Sequence, residues 1–395
     1  MSLQLPFTSL APVEVFAVED TTAQLTWRGL GRGELTATVD HPSGAETIIL
    51  GDPHHPGAAD IGGLAPGRTT PITVAVNGRP VEKLSIDTLP ALSAQPLARI
   101  ATISDLHFGE GGFGLVRRLR EGAGVEPYPL RCARAAVCEA QAWGADMIAI
   151  KGDITELGRP HEWEMLDELL SEIHVPVLAV PGNHDTARSR TSLDATTELQ
   201  RRDLFPEPVH TTDVEGARIV MADSTVHGRS FGRLGRHAAD LVDAVDTPTP
   251  ALVFTHHHLE ARHSPWFWPP GVQRFDTTGL LRRLFEANPD TVISSGHSHR
   301  NRVRRHATGL ITEVSATKDF PGVWAGYAIH ADGVRQVVRR VVEPSAIGWN
   351  DRTHAVVGGI WGRWSPGRLG DRCVSHRWTV DRATTSAVGT ARAAR

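Results

Sequence analysis

Five apolar, strand-like runs in this chain each end abruptly in residues that bind metals. ARIATIS runs into Asp105-Leu106-His107, MIAIK into Gly152-Asp153, and PVLAVP into Gly182-Asn183-His184-Asp185. LVFT runs into His256-His257-His258, and VISS into Gly296-His297-Ser298-His299. The predicted strands cover 98–104, 146–150, 176–180, 217–222, 251–255 and 291–294, with three more near 310–315, 325–331 and 334–342. Helical stretches lie between them, near 130–143, 160–173, 192–204, 235–245 and 277–287. Strands alternating with helices predict a layered α/β core. Such a sheet forms its sites at the carboxyl ends of its strands, which is where these polar bursts fall.

The residue types fit one task. Carboxylate, imidazole and amide, with no thiolate, suit Mn, Fe or Zn ions better than a structural zinc site. Two side chains in a D-x-H pair can turn to the same side of a loop. Gly152, Gly182 and Gly296 let the backbone pass close by. Only one of His256, His257 and His258 need bind an ion. His256 follows the strand directly and fits best, with His257 as the alternative. Cys132, Cys138 and Cys373 are too scattered for a disulfide framework or a thiolate site.

A chain of 395 residues is too long for one ordinary core, so two domains and an extension are expected. Residues 12 to 90 read as short β-branched runs punctuated by Gly, Pro, Asp and Asn, which predicts a small all-β sandwich. The stretch GLAPGRTTPITVAVNGRPVEKLSIDTLP resembles the end of a fibronectin type III domain. PALSAQP, residues 90–96, reads as a linker. The expected division is a sandwich over 1–92, an α/β domain over 97–342 and an Arg- and Trp-rich extension over 343–395 with no clear period.

In their order, the motifs D-x-H, G-D, G-N-H-D, a later His and G-H-x-H resemble those of the calcineurin-like metallophosphoesterase superfamily. The resemblance covers the chain from the 98–104 strand to the 334–342 strand. It implies a four-layer αββα sandwich holding two divalent ions. Carried over residue by residue, it puts Asp105, His107, Asp153 and His299 on one ion. Asp153, Asn183, His256 and His297 fall on the other, with Asp153 bridging. His184 matches the residue that contacts phosphate and protonates the leaving group, with Asp185 as its acidic neighbour; with Asp153 these form the expected catalytic set. Glu156 stands where much of the family has Asp and is a candidate support for His184. Purple acid phosphatases also carry an N-terminal sandwich, but they have D-x-G and a Tyr after G-D. This chain has His107 and Thr155-Glu156 there. The wording DLHFG, GDITELG, HHH and GHSH is most similar to the cyclic nucleotide and glycerophosphodiester branch.

The implied reaction is in-line attack of hydroxide on a phosphoester, most readily a small phosphodiester such as a cyclic nucleotide. Two divalent ions, two ligand carboxylates and a hydroxide leave a net positive centre, which attracts phosphate. A coordinated water has its pKa lowered to roughly 7, so hydroxide is present at neutral pH. The competing readings are a phosphomonoesterase or nucleotidase with the same ions, and a non-catalytic binding module with a degenerate site.

A net charge of −4 gives no basis for general nucleic-acid or membrane-surface binding, and the resemblance implies a small phosphorylated substrate as the partner. The start lacks a basic segment followed by a long apolar one, and no run approaches a membrane span, so a cytoplasmic location is expected. Oligomeric state is open. Softer candidates are an aromatic wall over His263–Pro270, a basic group Arg117, Arg118 and Arg120, and the trio Thr317, Lys318 and Asp319. Packing against the core is the expected fate of Trp361, Trp364 and Trp378.

Overall fold

The β-branched runs near the start pair as antiparallel strands. They are β1 (Val13–Val18), β2 (Ala23–Trp27), β3 (Leu35–His41), β4 (Gly44–Gly51), β5 (Gly57–Ile61), β6 (Thr69–Val76) and β7 (Arg79–Asp87). They form two sheets, β1-β2-β5 and β4-β3-β6-β7. Alternation along β3 buries Leu35, Ala37 and Val39, joined in the core by Phe16, Leu25, Trp27, Ile72, Val74 and Ile86. This all-β unit is compatible with a fibronectin type III-like domain. The computed structural model describes residues 11–41, 44–93, 95–114, 118–122, 124–186, 191–259, 268–306 and 308–379. The chain divides into two units, Met1–Leu89 and Pro90–Arg395.

The second unit is built on two six-stranded sheets. Its elements run β8 (Ala98–Ile103), α1 (Tyr128–Ala142), β9 (Met147–Lys151), α2 (Pro160–Leu170), β10 (Val177–Val180), α3 (Ala195–Arg201), β11 (Val209–Val214) and β12 (Ala217–Ala222). Then come α4 (Ala238–Val245), β13 (Ala251–Thr255), α5 (Arg274–Ala287), β14 (Thr291–Ser295), β15 (Arg302–His306), β16 (Gly309–Glu313), β17 (Val323–His330) and β18 (Gly333–Arg340). The chain continues through α6 (Pro344–Thr353), α7 (Ile360–Trp364), α8 (Leu369–Arg372) and β19 (Cys373–Arg377). One sheet has the order β10-β9-β8-β17-β18-β19 and the other β11-β12-β13-β14-β16-β15. Strands β8, β9 and β10 are parallel, as are β12, β13, β14 and β16, so their carboxyl ends gather on shared edges.

The sheets pack face to face. Tyr327 donates to Ser294 Oγ at 2.6 Å, its ring meets Phe254 edge-on at 5.4 Å, and Lys151 Nζ donates to Ser294 Oγ at 3.0 Å. Helices α4 and α5 cover the outer face of the second sheet through Leu241, Val245, Leu281 and Leu284 against Val220, Val253 and Ile293. Full burial of each such side chain contributes roughly 1.5–3 kcal/mol. Helix α1 packs on β8 and β17 of the first sheet, with α2 and α6 against it, completing four layers.

Residues 343–379, without period in the sequence, fold into this unit. Glu343 caps α6 by accepting from the Ala346 amide at 2.7 Å, and β19 extends the first sheet beyond β18. The expected aromatic wall lies partly outside the described residues, which include only Trp268, Pro269 and Pro270 of it. Arg117 and residues 1–10 also lie outside them. Among the described residues no helix is long and apolar enough to cross a membrane.

Candidate metal centre

Three of the five bursts leave their strands in an unusual backbone conformation. Asp105, His107, Asp153, His297 and His299 have φ of 55°, 50°, 48°, 64° and 47°. Asp and His tolerate this left-handed region better than most residues, yet each such position costs energy that packing must offset. Here the loops brace one another. The Asp105 amide donates to Gly152 O at 3.0 Å and the His107 amide to Asp153 O at 2.9 Å. Gly182 has no room for a side chain, since a Cβ there would lie 2.2 Å from Asp153 Oδ1. Asp185 works behind the site. It is fully buried and accepts from the amides of Thr155 and Gly182 at 2.7 and 2.8 Å. These bonds tie the Thr155 and Gly182 backbones together behind the site.

The side chains then converge. His107 Nε2 lies 3.6 Å and His256 Nε2 3.3 Å from Asp153 Oδ2. His256 Nε2 is 3.2 Å from Asn183 Oδ1, and His299 Nε2 is 3.4 Å from Asp105 Oδ1. Four overlapping groups have ligand atoms within 4.8 Å of one another: Asp105, His107 and His299; His107, Asp153 and His184; Asp105, Asp153 and His256; and His256, His257 and His297. These nitrogen and oxygen donors fit divalent cations. The buried His107 Nε2 has no hydrogen-bond partner, as expected of a lone pair kept for an ion.

The far side of each imidazole is tied down, which fixes its orientation. His107 Nδ1 pairs with Glu156 at 2.7 Å, His299 Nδ1 with Asp319 at 2.8 Å, and His256 Nδ1 with Lys151 O at 2.8 Å. His257 Nδ1 meets Ser224 Oγ at 2.8 Å. Glu156 also lies 3.3 Å from His184 Nδ1, so one carboxylate serves two histidines. Asp319 and Trp361 were not readable as supports from sequence. Asp319 stands on a different loop from His299, and Trp361 donates to Asp319 Oδ1 at 3.1 Å.

Charges follow from this crowding. Burial opposes a protonated His184, but Asp153 and Glu156 outweigh it and push its pKa up to about 10. His256 is likewise pushed up to about 9 by Asp153 against burial. His297 goes down, through burial and its neighbours His257 and His256. A bound cation competes with protons for these same lone pairs.

The cluster opens into a cleft of about 300 Å³. His107, Asp153, Asn183, His184, His297 and His299 line its floor. Phe113, Arg118, Trp268, Lys318, Val357 and Trp361 are among its walls. Of the softer candidates, Arg118 and Lys318 reach the cleft, whereas Arg120 does not line it. Trp361 departs from its expected place in the core and faces the cleft, while Trp378 is buried.

Comparison with known proteins bears on this geometry. The model of the family described as calcineurin-like phosphoesterase matches residues 98–301. A probable cyclic nucleotide phosphodiesterase of Synechococcus sp. is 26% identical over 205 residues, covering 48% of this chain and 73% of that protein. A glycerophosphodiester phosphodiesterase of Enterobacter lignolyticus is 28% identical over 191 residues. That match covers 44% of this chain and 62% of that protein, less than two thirds of its length. Among solved structures, a purple acid phosphatase from yellow lupin (Lupinus luteus) seeds is similar, with a TM-score of 0.44 and 13% identity, covering 84% of this chain and 72% of that chain.

Proposed function

The chain belongs to the calcineurin-like phosphoesterase family, whose members hydrolyse phosphoesters, and on that premise we propose that it cleaves small phosphodiesters, such as cyclic nucleotides, at a two-metal centre. The observation that carries this reading is the position of Asp153, whose Oδ2 lies 3.6 Å from His107 Nε2 and 3.3 Å from His256 Nε2. One ion would be held by Asp105, His107, Asp153 and His299. The other would be held by Asp153, Asn183, His256 and His297. His256 is preferred to His257 because its Nε2 faces both Asp153 and Asn183.

Bound ions would stabilise charge gained in the transition state and lower the pKa of a coordinated water to roughly 7. The protein's own groups do the rest. Glu156 holds His184 by Nδ1, leaving its other nitrogen to give a proton to the leaving oxygen. Bonds from Glu156 to His107 and His184 and from Asp319 to His299 keep the imidazoles aimed, so little reorganisation is needed when substrate arrives. The phosphodiester preference draws support from the names of the relatives and from apolar walls that can receive a second ester group.

The test is elemental analysis paired with turnover, before and after chelation. About two ions per chain are expected. Bis-p-nitrophenyl phosphate should be hydrolysed faster than p-nitrophenyl phosphate, with activity lost on chelation and restored by added Mn. A clear preference for the monoester would move the reading to a phosphomonoesterase. Metal-free protein that no divalent ion activates would move it to a binding module.

A further inference from the structure

The cleft has a wall that comes from outside the family match. Residues 343–379 follow the matched stretch, 98–301, yet Val356, Val357 and Trp361 line the cleft beside the metal centre. Trp361 is placed with care. Its Nε1 donates to Asp319, its ring lies 5.7 Å from that of His299, and it meets Phe113 edge-on at 5.5 Å. Val357 has φ of 55°, an outlier for a β-branched residue, and it is 48% exposed. Such strain is characteristic of sites where a side chain must be presented to a ligand. Trp268 is 63% exposed and also lines the cleft. Apolar faces left open to water beside a polar floor call for a ligand that is apolar at one end and anionic at the other.

The order of the rings says which end goes where. His184 packs on His107 at 4.4 Å, His107 on His299 at 5.6 Å, and His299 on Trp361 at 5.7 Å. Trp361 is therefore separated from His184 by two imidazoles. With the leaving oxygen taking its proton at His184, as proposed above, the wall is left to receive the group that stays on phosphorus.

We propose that Trp361, with Phe113 and Val357, forms a subsite for a flat aromatic ester group, a base or an aryl ring, that remains on the phosphate during hydrolysis. The chain then prefers phosphodiesters carrying such a ring over those carrying only alkyl or glycerol-like groups. The proposal rests on the phosphodiesterase reading above and selects within it.

Two diesters with the same leaving group test this: phenyl p-nitrophenyl phosphate and methyl p-nitrophenyl phosphate, with the full chain and restored metal. The wild type should favour the phenyl diester by about tenfold in kcat/KM, mostly through KM, the size of one ring-stacking contact. W361A should lose most of that ratio, whereas W361F, which keeps a ring and loses the bond to Asp319, should keep it. Equal losses on both diesters in W361A would overturn the proposal and leave Trp361 as a support for Asp319 and His299. So would a wild type with no preference. If neither diester is turned over, the phosphodiesterase reading fails instead. Calorimetric binding of phenyl phosphate and methyl phosphate then decides the subsite by itself. Tighter phenyl phosphate binding that W361A abolishes supports it, and equal affinities sink it.

Discussion

At the residue scale, the economy of the site lies in Glu156. One carboxylate orients both His107 and His184, at 2.7 and 3.3 Å. Both histidines hold it well below the ordinary carboxylate range, against its burial, so it stays ionised wherever the site works. Replacing it as E156Q should lower metal affinity by about 10- to 100-fold, the usual cost of losing a carboxylate behind a histidine ligand. Metal titration of the stripped protein checks this, and unchanged affinity would mean that His107 is held by its loop alone. His184 should behave differently. H184Q is expected to cut kcat by about 100-fold or more while metal content holds, because proton donation is lost and no proposed ligand is. A parallel fall in metal content would recast His184 as a ligand, as its grouping with His107 and Asp153 permits.

At the element scale, the strands missed by periodicity have one thing in common. β11, β15 and β19 are all edge strands, VHTTDV, RVRRH and CVSHR, and polar or charged side chains are what blunts a sheet edge. An edge strand therefore carries a weak apolar signal, while β9, β13 and β14, buried on both faces, carry a strong one. β15 is held by charge as well as by its ladder to β16. Glu313 is fully buried and lies 2.9 Å from Arg304 and 3.7 Å from Arg302. Burial would raise its pKa, but His258, Arg304 and Arg302 outweigh this and hold it below the ordinary value. A depressed carboxyl pKa contributes stability that is present above the unfolded value, roughly 4.3, and is lost as pH falls through the folded one. E313Q should therefore be less stable than wild type at pH 7, by up to about 3 kcal/mol, with the gap closing below about pH 4. Denaturant midpoints at both pH values measure it, and a gap that does not change with pH would rule out the charge pairing.

At the scale of the whole molecule, every candidate ligand and every support named for it lies in the unit Pro90–Arg395. A chain of residues 90–395 should keep its metal content and nearly all of its kcat/KM on bis-p-nitrophenyl phosphate. A large loss in either would give the N-terminal sheets a part in the site. The class of core, the central strands and the order of the candidate ligands were legible in the chain before it folded. These are local properties: an apolar run buried on both faces, and a donor residue at its end, leave a mark wherever they occur. The remaining contacts arise only when distant segments meet. His297 donates its amide to Asp105 across 192 residues, and Lys318 reaches Glu110 across 208. No local pattern encodes such meetings, because they depend on how two sheets stack and where their loops come together. For the same reason only the fold could set His256 Nε2 beside Asp153 and Asn183, or turn Trp361 toward the cleft. Adjacent residues of one type differ only in direction, and direction is set by the backbone that carries them.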